Sequence, residues 1–261
     1  MAFLLRLVPP GDSSNVELVQ SCLWSAGTTG ISELATGELL AGFESEKSAH
    51  QASLEVFSID LNGRWTVTVE RADSTSWEPY KKVTSIDVPT ANGTEVEIEA
   101  SQVFGHGEHP TTKLMIDMLA ETVRKGARVL DVGTGSGVLG VIAATNGAVV
   151  QAIDIDEQAV TVARLNARRN GVDIECSTTP MGDIAVDSPG RFDVVVANVL
   201  APVHAELHRD ILKSVAVGGT VLLAGFLDDQ EAMIRELYEP FELVERSQIF
   251  DWVGLAVVPT C

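Results

Sequence analysis

The sequence predicts an α/β protein: a Rossmann-like, nucleotide-binding sheet preceded by a small α+β domain of ferredoxin-like order. Three observations carry this. From about residue 96 onward, short apolar runs alternate with helical patterns, the order of a parallel sheet wound with crossover helices. One of those runs, Val129 to Val132, ends in the turn Gly133-Thr134-Gly135-Ser136-Gly137 and is followed by a helical pattern. Strand, glycine turn and helix together open a nucleotide site. The first 70 residues read instead as strand, helix, strand, strand, helix, strand, a βαββαβ order.

In the first domain, residues 1–70, strands are predicted near Phe3–Val8, Gly30–Ala35, Glu38–Phe43 and Trp65–Glu70, and helices near Asn15–Ser25 and Lys47–Phe57. The run Ala26 to Gly30 breaks the first helix, and Thr36-Gly37 makes a tight turn between strands. Residues 71–95 read as an irregular linker, punctuated by Pro79, Pro89 and Asn92-Gly93. In the second domain, residues 96–261, strands are predicted at Arg128–Val132, Val149–Ile153, Asp173–Cys176, Phe192–Ala197 and Thr220–Ala224. Helices are predicted near Thr111–Val123, Val138–Thr145, Glu157–Asn170, Pro202–Ser214 and Asp229–Tyr238. Gly126, Gly147, Gly171 and Gly218-Gly219 fall where helices hand over to strands. Phe241–Arg246 and Phe250–Val258 pattern as a closing antiparallel hairpin, so the last strand is expected to run against the rest.

Composition bounds the function. A chain of 261 residues with 45% hydrophobic content fits two folded domains. Its net charge of −19 excludes direct binding to bare nucleic acid, which needs clustered Lys and Arg. The same charge suits a basic protein partner, and it also serves solubility. Cys22, Cys176 and Cys261 are scattered, which is neither a disulfide framework nor a zinc site and fits the reducing cytoplasm. The apolar start from Ala2 to Val8 is interrupted by Arg6 and stops at Pro9-Pro10. It is too short to span a membrane and lacks a signal-peptide layout, so it reads as a strand.

The turn has the form G-x-G-x-G, not the G-x-G-x-x-G of dinucleotide sites, and no G-x-x-x-x-G-K-[ST] loop is present. Asp131, two residues before the first glycine, puts negative charge where a pyrophosphate would be repelled. It suits a ligand bearing an amino group and a sulfonium. Asp154 ends the next strand, about 20 residues past the turn, where a carboxylate accepts from both hydroxyls of a ribose. Asp156 reads as a helix cap. Asp183, in Met181-Gly182-Asp183-Ile184, either accepts from an adenine amino group or is a solvated loop residue. Upstream, Phe104 to Thr112 holds two glycines that make a loop pliable, then Pro110 and two threonines that suit a helix N-terminus. This loop can fold back over the nucleotide site. Its His106-Gly107-Glu108-His109 core matches neither H-E-x-x-H nor the reversed zinc motif, so no metal is expected.

Four stretches taken together resemble one family. They are F-G-x-G-x-H-P-T-T at 104–112, V-L-D-V-G-T-G-S-G-V-L from 129, A-I-D-I-D-E-Q-A-V with N-A-R-R-N-G-V from 152, and D-V-V-V-A-N-V-L-A from 193. The series is similar to the PrmA-type methyltransferases that modify ribosomal protein L11. The likeness covers residues 100–260 well and the first domain more loosely. It implies a seven-stranded methyltransferase sheet with the last strand antiparallel, and S-adenosyl-L-methionine as cofactor. It further implies a first domain that recognises the ribosomal protein and a second that methylates lysine side chains and the N-terminal amine. Carried over, Thr112 touches the cofactor, Gly133 packs against its methionine or ribose portion, and Asp154 holds the ribose. Gly135 and Gly137 shape the turn. Asn198, at the carboxyl end of a central strand, touches the cofactor and orients the amine; the bland alternative is a turn-former. His106, Glu108 or His109 takes the amine proton, or water does. The chain departs from the family at His106 and Glu108, where Thr is usual. It departs again at Glu99-Ala100-Ser101-Gln102-Val103, which stands for D-P-G-x-A, and in a shorter linker after Trp77. Rival readings are the same fold acting on another protein or a small molecule, a non-catalytic cofactor-binding module, and a dinucleotide oxidoreductase.

Overall fold

The computed structural model describes residues 2–9, 16–28, 30–33, 36–43, 45–59, 65–72, 82–88, 94–100, 109–239 and 241–260. The chain divides into two compact units, one of residues 1–82 with 100–104 and one of residues 83–99 with 105–261.

The first unit runs β1 (Ala2–Val8), α1 (Val16–Ser25), β2 (Gly30–Glu33), β3 (Leu39–Phe43), α2 (Glu46–Ile59) and β4 (Thr66–Ala72). Its antiparallel sheet has the order β2-β3-β1-β4, the ferredoxin-like arrangement predicted. Alternation along β1 sends Leu5 and Leu7 into a core with Val19 and Leu23 of α1 and Ala49, Ala52 and Val56 of α2. On the other side of the same strand Arg6 reaches Glu38 at 2.8 Å and Glu70 at 3.3 Å.

The second unit begins with a hairpin, β5 (Lys82–Val88) and β6 (Thr94–Ala100). Residues 82–88 were expected to be irregular, because Pro79, Pro89 and Asn92-Gly93 dominate the reading of that stretch. Those breakers flank the strand or lie between the two strands, leaving 82–88 free to pair. Val96 and Ile98 of β6 are buried against the main core of this unit.

Beyond it come α3 (Pro110–Thr122), β7 (Arg128–Val132), α4 (Val138–Thr145), β8 (Val149–Ile153), α5 (Glu157–Arg169), β9 (Ile174–Ser177), α6 (Met181–Asp187) and β10 (Phe192–Asn198). They are followed by α7 (Ala201–Ser214), β11 (Val215–Leu227), α8 (Glu231–Leu237), β12 (Phe241–Ile249) and β13 (Trp252–Pro259). The sheet order is β12-β13-β11-β10-β7-β8-β9. All neighbours pair in parallel except β13, which runs antiparallel to both β11 and β12. The seven strands and the reversed last one are as predicted. The short helix α6 was read as a loop, because seven residues opened by Pro180 and carrying Gly182 show too little periodicity. Residues of α3, α4, α5 and the hairpin pack on one face of the sheet, and residues of α6, α7 and α8 on the other.

Strand order reverses between β7 and β10. In an open α/β sheet the crevice outside the carboxyl ends of two such strands is where ligands bind. The glycine turn follows β7 and Asn198 ends β10, so both stand at that switch point.

Candidate functional site

The turn after β7 is held in place from three sides. Gly133, Gly135 and Gly137 all take positive φ, at 69°, 55° and 82°, which only glycine adopts at little cost. From β8, the Ile153 carbonyl accepts from the Gly133 and Thr134 amides at 2.9 and 3.0 Å. From α5, the buried Asn166 side chain donates to the Ser136 carbonyl at 2.9 Å. At Gly137 a Cβ would lie 2.8 Å from Ala163 of α5, and at Gly133 one would lie 2.5 Å from Val199 Cγ1. The turn therefore sits against both α5 and the residue that follows Asn198.

Asp131 supplies the support from below. Alternation along β7 turns it to the same face as Val129, beneath α4. There Oδ2 accepts from Thr134 Oγ1 at 2.6 Å and from the Gly140 amide at 3.1 Å. Only 2% of the residue is exposed. Burial pushes its pKa up to about 6, against the pull of the Thr134 and Gly140 bonds, and the charge of Asp154 adds to the rise. The carboxylate staples the turn to the start of α4, and the attraction expected of it for a ligand's amino group would act from beneath the turn.

Asp154 follows β8 and is anchored to the turn by its carboxylate. One oxygen accepts from the Gly135 amide at 2.9 Å and the other from the Asp156 amide at 3.0 Å. Each oxygen keeps a further lone pair, so the anchored carboxylate can still accept from a diol. Asp156 caps α5 by accepting from the Gln158 amide at 2.8 Å. Next to Asp154 stands Ile155, an apolar side chain 97% exposed at the carboxyl edge, a ready surface for a flat ring. Sequence reasoning missed it, although an isoleucine between two aspartates just past a strand end was the available signal. Asp183 is exposed in the first turn of α6, on the same edge beyond β9.

At the N-terminus of α3, His109 is the cap residue. Its Nδ1 accepts from the Thr111 amide at 3.3 Å and lies 2.7 Å from the Thr111 hydroxyl. Its ring meets the edge of Trp252 at 4.9 Å between centroids. A neutral imidazole has one accepting nitrogen. Here that nitrogen is Nδ1, which serves the cap, and a proton-acceptor role for His109 stays an expectation from the sequence. His106 and Glu108, the other candidates, lie outside the described residues.

Two atoms stand out by what they lack. Among the described residues, the Oγ1 of the fully buried Thr112 has no hydrogen-bond partner, and the buried Oδ1 of Asn198 has none either. Leaving a buried polar atom unsatisfied costs about 1–3 kcal/mol, so two at one edge of the sheet call for a ligand. Both are residues the sequence singled out. The loop that carries Asn198 is pinned by His204 of α7, which sequence reasoning did not notice. Its Nε2 donates to the Ala224 carbonyl at 3.0 Å, and that carbonyl also accepts from the Val199 amide at 3.2 Å. Nδ1 lies 3.3 Å from the Tyr238 hydroxyl. Burial pushes the His204 pKa down to about 4 against the carbonyls of Ala224 and Val199, so the ring is neutral at pH 7. Among the described residues no group of three or more His, Cys, Asp or Glu side chains is arranged to hold a metal. No helix there is long and apolar enough to cross a membrane.

The model of the ribosomal protein L11 methyltransferase (PrmA) family matches residues 67–259. The chain belongs to this family. A ribosomal protein L11 methyltransferase of Geobacter sulfurreducens is 43% identical over 162 residues, 62% of this chain and 50% of that protein. The chain spans half to two thirds of the length of such curated relatives. Among solved structures, the ribosomal protein L11 methylase of Lactobacillus delbrueckii subsp. bulgaricus is 31% identical. It aligns over 63% of this chain and 84% of that one, with a TM-score of 0.56. A T. thermophilus 16S rRNA methyltransferase in complex with AdoMet and guanosine shares the fold at 20% identity. Its TM-score is 0.57, and the match covers 81% of this chain and 62% of that one.

Proposed function

We propose that this family member is an S-adenosylmethionine-dependent protein methyltransferase acting in the cytoplasm. It transfers methyl groups to lysine and N-terminal amines of a basic ribosomal protein, L11 in the first instance. The observation that carries the reading is the pair of buried, unpartnered oxygens, Thr112 Oγ1 and Asn198 Oδ1, on the edge that holds the glycine turn.

The residues present fit the cofactor. Asp154 would hold the ribose hydroxyls and Ile155 the adenine face, with Asp183 near the adenine amino group. The turn at Gly133 would lie against the methionine portion, and Thr112 would touch the cofactor from the start of α3. When bound, the cofactor supplies a methyl group already activated on a sulfonium, so positioning of the amine provides most of the acceleration. Asn198 does that positioning: Oδ1 accepts an N–H of the amine and so aims the nitrogen lone pair along the line of transfer. The amine enters as the neutral base, its proton passing to water or to the side chain of His106, Glu108 or His109. Domain roles follow the same reading, with residues 1–70 recognising the protein substrate and residues 96–261 carrying the chemistry, joined by 71–95.

The test is transfer of tritiated methyl from S-adenosylmethionine to purified unmethylated L11 and, in parallel, to a whole-cell lysate. Label on lysine and amino-terminal nitrogens of L11 is the expected result. Label on other species only would replace the substrate and keep the chemistry. Tight cofactor binding with no labelled species at all would make the chain a non-catalytic module, and binding of a nicotinamide cofactor in its place would make it an oxidoreductase.

A further inference from the structure

The hairpin joining β12 to β13 turns in two residues. Ile249 pairs with Trp252, which leaves Phe250 and Asp251 as the loop. Phe250 has φ 53° and is the one non-glycine residue with positive φ among those described. A positive φ at the first loop residue and not the second is the type II′ pattern, whose first position favours glycine because any Cβ there is strained. The phenylalanine is not repaid by burial, since 72% of it is exposed. Around it the turn is firmly built. The Gln248 side chain donates to the Phe250 carbonyl at 2.7 Å, and the Asp228 amide donates to the Asp251 carbonyl at 2.9 Å. Trp252 is buried with its ring against His109. An aromatic ring kept at a glycine position, on a braced turn and out in solvent, serves something outside the chain's own core.

The turn stands over the active edge. Trp252 pairs with Leu227, three residues beyond Ala224, which is level with Asn198 in the register of β10 and β11. At roughly 3.3 Å per residue the tip rises about 10 Å above Asn198, and two strand spacings set it about 10 Å to one side. A side chain whose amine reaches Asn198 brings its own backbone to that height. Asp251 is the other residue of the turn, Asp228 is tied to it through the backbone and Asp229 follows; all three are exposed and give the tip a negative charge suited to basic neighbours in the same segment.

We propose that Phe250 is a docking residue for the polypeptide that carries the accepting amine. Its ring packs on an apolar side chain flanking the target, while the three aspartates face basic residues beside it. This rests on the protein-methyltransferase reading. The test uses the full chain, unmethylated L11 as substrate, and the variants Phe250→Gly and Phe250→Tyr. Phe250→Gly should be at least as stable to urea as wild type and bind S-adenosylmethionine within twofold. Its KM for L11 should rise about tenfold or more with kcat retained, and Phe250→Tyr should restore KM to within about twofold of wild type. An unchanged KM in an active Phe250→Gly would remove the docking role and leave the methyltransferase reading intact. Lower stability of that variant would also overturn it, by showing that the ring packs within the chain. A wild type that labels no protein would take down both.

Discussion

Two carboxylates bracket the glycine turn, and they do opposite things. Asp131 is sealed under the turn and speaks to Thr134 and Gly140, whereas Asp154 is anchored by two amides and keeps lone pairs for a ligand. Removing the ligand-facing one should cost charge-assisted bonds worth about 1.5–3 kcal/mol. Asp154→Ala is therefore expected to weaken S-adenosylmethionine binding by about ten- to a hundredfold in calorimetry, and equal affinity in the two proteins would contradict its role. Asn198 separates binding from turnover. Its orphan Oδ1 is assigned to the amine, so Asn198→Ala should lower kcat by about a hundredfold, the usual effect of mispositioning, with cofactor affinity held within about threefold. Full turnover in that variant would return Asn198 to the status of a turn-forming residue. The positions of Thr112 at the start of α3, and of Asp154 and Asn198 at strand ends, were legible in the sequence, whereas the roles proposed for Thr112 and Asn198 came from the family resemblance. The burial of Asp131 was not legible, because a motif shows which residue stands at a strand end and not which way alternation turns it. His204 was not legible either, since a single histidine within a helical pattern gives no sign that it bridges to a strand carbonyl 20 residues away.

Element boundaries tell a similar story. Most of the long alternating stretches of the sheet and its helices were read within a few residues of where they lie, but β11 begins at Val215 and takes in Gly218-Gly219, which were read as the hand-over from helix to strand, while β5 and α6 were hidden by prolines and glycines at their margins. The quoted N-A-R-R-N-G stretch gained a meaning only from geometry. On α5, Asn166 holds the turn through Ser136, and one turn later Asn170 pairs with both backbone groups of Glu97 in β6 at 2.8 Å. Helix α7 depends on protonation as well. His204 has a folded pKa of about 4, below its ordinary 6.5, so the unfolded chain binds more protons between those values and stability falls as pH drops through that window. Asp131 works the other way. Its folded pKa of about 6 lies above 3.8, so the folded state binds the extra proton and stability rises as pH drops from about 6 towards 3.8. Each shift is worth on the order of 3 kcal/mol, and the two largely cancel. His204→Gln should expose the imbalance. The variant is expected to be less stable than wild type at pH 7 in urea titration, with the gap closing by on the order of 3 kcal/mol by pH 4. A gap independent of pH would show that His204 does not carry the acid sensitivity.

Over the whole molecule the governing quantity is charge, with 37 acidic residues against 18 basic ones. Two accounts of that excess make different predictions. If it serves only solubility, catalysis should be indifferent to salt. If it draws a basic protein substrate towards the active edge, encounter is steered by a long-range field that salt screens. Screening length falls from about 10 Å at 0.1 M to about 3 Å at 1 M, less than the distance from the Phe250 tip to Asn198 inferred from strand geometry. Raising ionic strength across that range should therefore lower kcat/KM for L11 by about fivefold or more. The effect should appear in KM and leave kcat, which reports events after docking, nearly constant. Affinity for S-adenosylmethionine, a small ligand held by neutral and short-range contacts apart from Asp154, should change by less than about twofold over the same range. A flat kcat/KM would assign the acidity to solubility, and a parallel loss of cofactor affinity would place the salt effect at the nucleotide site instead of the protein-docking rim.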